Sequence, residues 1–193
     1  KEDPLNTFLT DKEIEMVSRY EPLSDTERIV RNWFLLGCVT GARHSDYVQF
    51  TRENIVDDFL VYVSQKTKIR AEVPLSPVVL RIFEEAERFG LTGKSVSDVT
   101  FNEVIRKICR QCGIVERLKL YKAGKDVVGE KWEFVSSHTA RRSFCTNLYL
   151  RGCDLYCISK LMGHSSVTMT EKYICIGFRD LSDKILSYFK GFK

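Results

Sequence analysis

Hydrophobic residues recur at the spacing of an amphipathic helix along most of this chain. Two boxes of the form Thr/Ser-x-x-Glu, at Thr10 and Ser24, predict helix starts, because each hydroxyl can accept a hydrogen bond from the backbone three residues on. They predict one helix over 10–20 and a second over 24–41. The second has the denser apolar face, so we expect it to be the most buried helix of the first half. A short helix capped by Ser45 follows, up to residue 50.

The hydrophobic period changes from helical to alternating after residue 55. Residues 59–63 (FLVYV) and 69–75 have the character of two strands, and the polar residues 64–68 between them predict a turn with a basic tip. The pattern therefore predicts a small antiparallel hairpin. Residues 114–136 are less regular, and we expect a second, irregular hairpin there, with 132–135 strand-like.

Helical spacing returns on both sides of that second hairpin. Ser76-Pro77 predicts the start of a helix that runs to Gly90, and Thr100-x-x-Glu103 the start of one that reaches Gly113. Further helices are expected near 138–151, 154–162, 166–174 and 179–190. The pattern predicts a mainly helical α+β fold with a small antiparallel sheet, as a single domain over residues 1–193.

Composition narrows the class of protein without identifying it. Hydrophobic content of 44% and charged content of 29% are ordinary for a globular protein, and a net charge of +4 is compatible with nucleic acid but not specific for it. No apolar run approaches the roughly 20 residues that span a bilayer, and the first residues lack the apolar core of a signal peptide. We therefore expect a cytoplasmic protein with no membrane partner. Since the chain does not begin with methionine, we interpret it as a fragment of a longer protein.

The seven cysteines favour reduced thiols over a disulfide framework, because their number is odd and the chain has no secretory feature. Cys109 and Cys112 form a C-x-x-C at the end of an amphipathic helix. No second pair has the spacing of zinc ligands, so we favour a structural role for them over a zinc or redox role.

The candidate chemistry is concentrated between residues 137 and 173. His138 and Arg141 are one helical turn apart, Gly163-His164 interrupts a helical run, and Tyr173 follows nine residues later. This combination suggests a site for an anionic group beside a nucleophile. The chain has no paired carboxylates suited to two-metal chemistry and no glycine-rich phosphate loop, so nucleotide hydrolysis is disfavoured.

Four segments together resemble the tyrosine recombinase (phage integrase) family, over nearly the whole chain. TGARHSD resembles the segment with the family's first catalytic arginine, and SQKTKIRAEVPLS its β-hairpin, whose tip carries the catalytic lysine. SHTARRSF matches its His-x-x-Arg box, and LMGHSS with the later tyrosine matches its last histidine and nucleophile. The chain looks like the family's C-terminal catalytic domain, closest to integrases of conjugative transposons and other mobile elements. The six matching positions are Arg43, Lys66, His138, Arg141, His164 and Tyr173.

The resemblance implies a site-specific recombinase that cleaves and rejoins DNA through a 3′-phosphotyrosine, with no metal, ATP or other cofactor. Two planar guanidiniums, Arg43 and Arg141, would hold the non-bridging phosphate oxygens. The two histidines of the pattern would donate hydrogen bonds to the phosphate or handle the tyrosine proton. Lys66, with Lys68 as its competitor at the hairpin tip, would protonate the departing 5′ oxygen.

The resemblance also implies macromolecular partners. These are double-stranded DNA and other protomers of the same recombinase. The implied assembly is a tetramer on paired sites and a monomer without DNA. Accessory DNA-bending proteins are compatible with the resemblance. The family's N-terminal core-binding domain is absent from this chain, and the last predicted helix packs either on its own core or on a neighbouring protomer. We expect the Tyr173 segment to be mobile or misplaced without DNA. Candidate DNA contacts are Lys68, Arg70, Arg142, Lys122 and Lys125.

Two other functions remain open at this point. A type IB topoisomerase shares the same catalytic residue types, and a DNA-binding module that has lost catalysis would share the fold. The His-x-x-Arg box and the LMGHSS segment favour the recombinase over the topoisomerase. A module without catalysis predicts a missing position, whereas all six are filled. The family pattern assigns nothing to His44, which we expect on the surface or behind the site.

Overall fold

The computed structural model describes residues 7–122, 124–176 and Leu186. The predicted helix at 179–190 lies, apart from Leu186, outside them. None of the described helices is long and apolar enough to cross a membrane. The elements in chain order are α1 Asp11–Arg19, α2 Asp25–Thr40, α3 His44–Tyr47, β1 Ile55–Val56, β2 Phe59–Val63, β3 Arg70–Pro74, α4 Pro77–Arg88, α5 Asp98–Gln111, β4 Arg117–Lys122, β5 Lys125–Glu130, α6 Ser137–Leu150, α7 Leu155–Leu161 and α8 Val167–Glu171. The predicted α+β class, mainly helical, is confirmed.

Helix α2 lies at the centre of the fold, packed against α1, α4, α5 and α6. Its approach to α6 is close because Gly37 has no side chain: a Cβ there would lie 2.7 Å from the Cβ of Ala140. The helix ends at Gly41, whose φ of 65° is in the left-handed region that favours glycine. A Cβ at Gly41 would meet the ring of Phe144 at 2.3 Å. The C-terminal end of α2 is thereby held against α6. Arg43 follows two residues after Gly41, so it starts from this fixed point.

The predicted first hairpin is confirmed as β2 and β3, which pair antiparallel with Phe59 opposite Pro74 and Val63 opposite Arg70. Alternate residues such as Leu60 and Val73 are buried. The two-residue strand β1 adds a third, antiparallel strand to the sheet. The sequence did not predict β1, because two residues are too few to show an alternation.

Two helix starts differ from the prediction. Helix α5 begins at Asp98, not near Thr100, because the hydroxyl of Ser97 accepts a hydrogen bond from the backbone N–H of Thr100 at 3.1 Å. Helix α3 begins at His44, with Arg43 at its N-cap position, so Ser45 is inside the helix instead of capping it.

The second hairpin is more regular than predicted. Strands β4 and β5 pair antiparallel along their whole length, with Lys122 opposite Lys125 at the turn. The prediction that residues 132–135 are strand-like is wrong: Lys131–Phe134 forms a 3₁₀ helix. The carboxylate of Glu133 accepts a hydrogen bond from the backbone N–H of Glu130 at 2.8 Å, and that of Glu130 accepts from the indole N–H of Trp132 at 2.6 Å, which closes the turn locally.

The Cys109–Cys112 pair lies at the end of α5. Cys109 is fully buried, and burial raises the pKa of both thiols above the usual range. Both thiols are therefore protonated and poorly reactive at neutral pH. Within the described ranges, no group of three or more His, Cys, Asp or Glu side chains could hold a metal ion. These observations favour the structural role.

Candidate active site

The loop between β2 and β3, residues 64–69 (the tip loop), is held against the start of α3. Arg43 donates from Nη1 to the hydroxyl of Ser64 at 3.0 Å, and that serine is buried. Gln65 donates its backbone N–H to Oδ1 of Asp46 at 2.9 Å. Two side chains from the TGARHSD segment thus fix the loop that carries the lysines.

Asp46 is a site residue to which the sequence assigned no role. Its carboxylate is buried, with Oδ1 on the tip loop and Oδ2 without a hydrogen-bond partner among the described residues. A buried carboxylate is costly unless it is paired, and the hydrogen bond from Gln65 offsets part of that cost. A signal was available, because an acid three residues after Arg43 lies one helical turn on.

The two competing lysines occupy different places in the tip loop. Lys66 is exposed in the middle of the turn, and its positive charge acts on His138, where it contributes to a lowered pKa. Lys68 has a φ of 57°, and its backbone N–H closes the turn on the carbonyl of Ser64 at 2.8 Å. Of the two lysines, Lys66 is therefore the one whose charge is felt at His138.

Arg141 joins three segments that are distant in sequence. It is 2% exposed and donates to the carbonyl of Gly41, at the end of α2. Its Nη2 lies 3.0 Å from the carbonyl of Met162, at the end of α7, and 2.6 Å from Nε2 of His164. Helix α6 thus holds the Arg141 guanidinium between the C-terminal ends of α2 and α7.

The protonation state of His164 follows from its partners. Arginine is only a donor, so Nε2 of His164 accepts from Arg141, and Nδ1 carries the proton and lies 2.9 Å from the hydroxyl of Thr170. Burial, then the charges of Arg141 and Arg43, lower the pKa of His164 to about 4. The imidazole is therefore neutral at physiological pH, and its Nε2 lone pair is directed at Arg141.

Tyr173 lies in the same cluster. Its ring is 5.1 Å from Cζ of Arg141 and 5.2 Å from the ring of His164, measured to the ring centroids. Its backbone is tied to α6, since the hydroxyl of Thr146 lies 3.3 Å from the carbonyl of Tyr173. We expected the Tyr173 segment to be mobile or misplaced without DNA. The contacts with Arg141 and His164 place the ring inside the site, against the second alternative, and mobility stays a prediction.

His138 lies in the first turn of α6; more than a third of its surface is exposed, and its neighbours cover the rest. Burial, followed by the charges of Arg142 and Arg141, lowers its pKa, and Lys66 adds to the effect. Asp98 opposes it. Direct contacts thus join Arg141, His164 and Tyr173, and Arg43 contacts the tip loop, whereas His138 and Lys66 are linked to the cluster through their charges.

The electrostatics of the cluster call for an anion. Burial and the neighbouring charge of Arg43 lower the pKa of Arg141, so the two guanidiniums repel each other. The Nε atoms of Arg141 and Arg142 are buried and have no hydrogen-bond partner among the described residues. Orphaned buried donors are rare and costly. An oxyanion such as a phosphodiester would satisfy both requirements.

The predicted DNA contacts fall into two groups. Lys68 and Arg70 follow Lys66 along the tip loop and β3, where Arg70 pairs with Glu72 at 2.9 Å. Arg142 is next to the site residues of α6. Lys122 and Lys125 instead lie opposite each other on the separate β4–β5 ribbon.

The sequence of this chain is similar to those of known proteins. The sequence pattern of the phage integrase family matches residues 7–178. The tyrosine recombinase XerD of Vibrio vulnificus is 31% identical over 139 residues, a match that covers 69% of this chain and 44% of XerD. The chain thus spans less than half the length of this relative.

Two solved structures share the fold. The XerH site-specific recombinase bound to a palindromic difH substrate superposes with a TM-score of 0.68 at 15% identity, over 94% of this chain and 52% of that one. The lambda integrase tetramer bound to a Holliday junction superposes with a TM-score of 0.58 at 19% identity, over 88% of this chain and 48% of that one. Since the family pattern spans nearly all of its residues, the chain belongs to the phage integrase family.

Proposed function

We propose that this chain is the catalytic part of a site-specific DNA recombinase that cleaves and rejoins DNA through Tyr173. The observation that supports it best is buried Arg141, which bonds His164, packs on the Tyr173 ring and keeps an unpartnered Nε. A guanidinium held in this way between a base and a phenol is prepared for one phosphodiester group.

In the first step, the phenolic oxygen of Tyr173 attacks the phosphorus, and the bond from phosphorus to the 5′ oxygen breaks. The phenol proton passes to Nε2 of His164, whose ring is neutral, once Arg141 moves its hydrogen bond from that nitrogen to the phosphate. The ammonium of Lys66 protonates the departing 5′ oxygen. Arg43 and Arg141 stabilise the charge on the non-bridging oxygens, with His138 donating a further hydrogen bond.

The second step reverses the first with a different strand. A 5′-hydroxyl gives its proton to Lys66 and attacks the phosphotyrosine, and Tyr173 leaves with the proton from His164. The phosphotyrosine conserves the bond energy, so neither ATP nor a metal ion is required. The metal-free reaction is part of the proposal.

The proposed partners are double-stranded DNA and further protomers. Two proteins of similar fold were solved on DNA, one of them as a tetramer on a Holliday junction, which supports both partners by analogy of fold. Cytoplasmic localisation, a single catalytic domain over residues 1–193 and an origin in a mobile element stay predictions.

The first test is covalent trapping on DNA. Nicked duplexes with randomised sequence around the nick lose the short 5′-hydroxyl strand after cleavage, so the phosphotyrosine accumulates and is seen on a denaturing gel. We expect the adduct with the wild-type chain and with the control Tyr156→Phe, an exposed tyrosine of α7, but not with Tyr173→Phe. An adduct with Tyr173→Phe would overturn the nucleophile, and relaxation of supercoiled DNA without strand exchange would indicate a topoisomerase.

The second test separates chemistry from binding. Arg141→Ala should reduce the cleavage rate by at least about 10³-fold, because it removes a charged group aimed at the transition state. Duplex binding should fall much less, since phosphate contacts are spread over many residues. Arg81→Ala, an exposed arginine of α4, is the control. Equal losses of binding and cleavage in Arg141→Ala would contradict the assignment.

A further inference from the structure

The first turn of α5 contacts both halves of the candidate active site. Oδ1 of Asp98 lies 3.2 Å from Nδ1 of His44, the residue after Arg43. Oδ1 of Asn102 accepts from the backbone N–H of Ser137, the residue before His138, at 2.9 Å. Asn102 also donates from Nδ2 to the carbonyl of Asp98 at 2.9 Å, which ties the two contacts together.

The His44 side chain is held firmly enough to transmit this contact. Its ring lies edge-on to three aromatic rings, at centroid distances of 4.7 Å from Phe101, 5.2 Å from Tyr47 and 6.5 Å from Trp33. The hydroxyl of Tyr47 in turn lies 3.4 Å from the carbonyl of Ser137. The segment with Arg43 and the start of α6 are therefore joined through α5 and through Tyr47.

The orientation of His44 is defined by Asp98. Nδ1 faces the carboxylate and Nε2 is buried without a hydrogen-bond partner in the described part of the chain, so the neutral ring carries its proton on Nδ1. Burial lowers the pKa of His44, His138 lowers it further, and Asp98 opposes both.

The charge of the Asp98 carboxylate also acts on His138. Arg141 and Arg142 on its own helix and Lys66 from the tip loop disfavour its protonation, whereas Asp98 from α5 favours it. Asp98 is thus the carboxylate that offsets the charges of Arg141, Arg142 and Lys66 at His138.

We propose that Asp98 and Asn102 are positioning residues, which hold the Arg43 segment and the His138 segment in fixed relation across the start of α5. This inference rests on the proposed function for its effect on catalysis. The side chain of Asp98 is 83% exposed, and exposed ion pairs contribute little to folding stability. Its role is therefore to orient His44 through the 3.2 Å contact, from where its charge also acts on His138.

A histidine titration by NMR tests the electrostatic half. The chain has three histidines, and all three belong to this site, so their signals are readily assigned. In Asp98→Asn the pKa values of His44 and His138 should fall relative to wild type, while that of His164 stays unchanged. Glu103→Gln, an exposed carboxylate on the same helix, should move none of them. An unmoved His138, or an equal shift in His164, would overturn the proposal.

Cleavage kinetics test the positioning half. Asn102→Ala, which frees Ser137, should slow adduct formation by about tenfold with duplex binding retained, because small displacements of reacting groups slow chemistry strongly. Asn102→Asp keeps an acceptor for Ser137 and should lose less. A wild-type rate in Asn102→Ala would contradict the inference. A wild-type chain that forms no adduct would instead contradict the proposed function, and the NMR result would remain valid.

Discussion

At the scale of single residues, the site keeps its histidines neutral mainly by burial, and neighbouring cations add to the effect at His138 and His164. The pKa of each of the three histidines is lowered, and burial is the largest cause in every case. His164 has the lowest value because two guanidiniums add to its burial. A base that is neutral at physiological pH can accept the tyrosine proton, whereas an imidazolium could not.

This arrangement predicts that acid destabilises the fold through His164. Its pKa is about 4 in the folded chain against 6.5 for the free group, so between these values the unfolded chain binds a proton that the folded chain does not. The free energy of unfolding should therefore fall as the pH drops from 6.5 towards 4. In His164→Gln, urea unfolding at pH 7 and pH 4.5 should show a loss smaller by about 1 to 2 kcal/mol. An unchanged pH dependence would contradict this, while some loss remains from the other two histidines.

At the scale of elements, the β2–β3 hairpin serves as an arm that carries a cation to a site built on helices. Its sheet face is packed in the core through residues such as Leu60 and Val73. Its loop is fixed by hydrogen bonds from Arg43 and to Asp46. A polar loop on the surface has few other contacts that could hold Lys66 in one place.

We predict that Asp46 controls the order of this loop. Asp46→Ala removes the acceptor of the Gln65 N–H, so hydrogen exchange at Gln65 should accelerate and the cleavage rate should fall by about tenfold. Asp46→Asn is the matched control, since its amide oxygen can still accept that bond, and it should lose less of both. Unchanged exchange at Gln65 in Asp46→Ala would show that the loop is held by something else.

At the scale of the whole molecule, ion pairs neutralise many basic side chains outside the site but not the arginines within it. Many basic side chains away from the site are paired with acids: Arg28 and Arg31 with Glu85, Lys131 with Glu13, Lys94 with Asp25 and Lys119 with Asp126. The site itself contains repelling arginines instead. A polyanion would therefore be attracted to the site more than to the average surface.

Binding to duplex DNA should accordingly depend on salt through the tip loop. Lys68→Ala should reduce the slope of log K against log salt by about 0.9, the value for one phosphate contact. Arg70→Ala should reduce it less, because Glu72 already neutralises part of that charge. Fluorescence anisotropy over a salt series measures both, with Lys94→Ala as the control. Equal slopes in Lys68→Ala and wild type would exclude a phosphate contact for Lys68.

Much of the architecture could be predicted from local patterns. Caps such as Ser76-Pro77, the alternation in 59–63 and the helical spacing before Gly41 each depend on interactions within a few residues. The misassigned segment at 132–135 has apolar residues typical of a strand, but the glutamate pair across its turn determined the outcome. Short elements such as β1 carry too little pattern to be predicted.

The sequence by itself determined the helices, the hairpin and the order of six chemically suited residues, because periodicity and motif spacing are written along the chain. Only the tertiary structure decided what those residues do to each other. Arg141 bonds the carbonyl of a glycine 100 positions earlier, and the Asp98 and Asn102 contacts join α5 to segments on either side of it in sequence. Contacts at such junctions determine the tautomer of His164 and the position of the Tyr173 ring. These contacts depend on packing among distant segments, which no local pattern encodes.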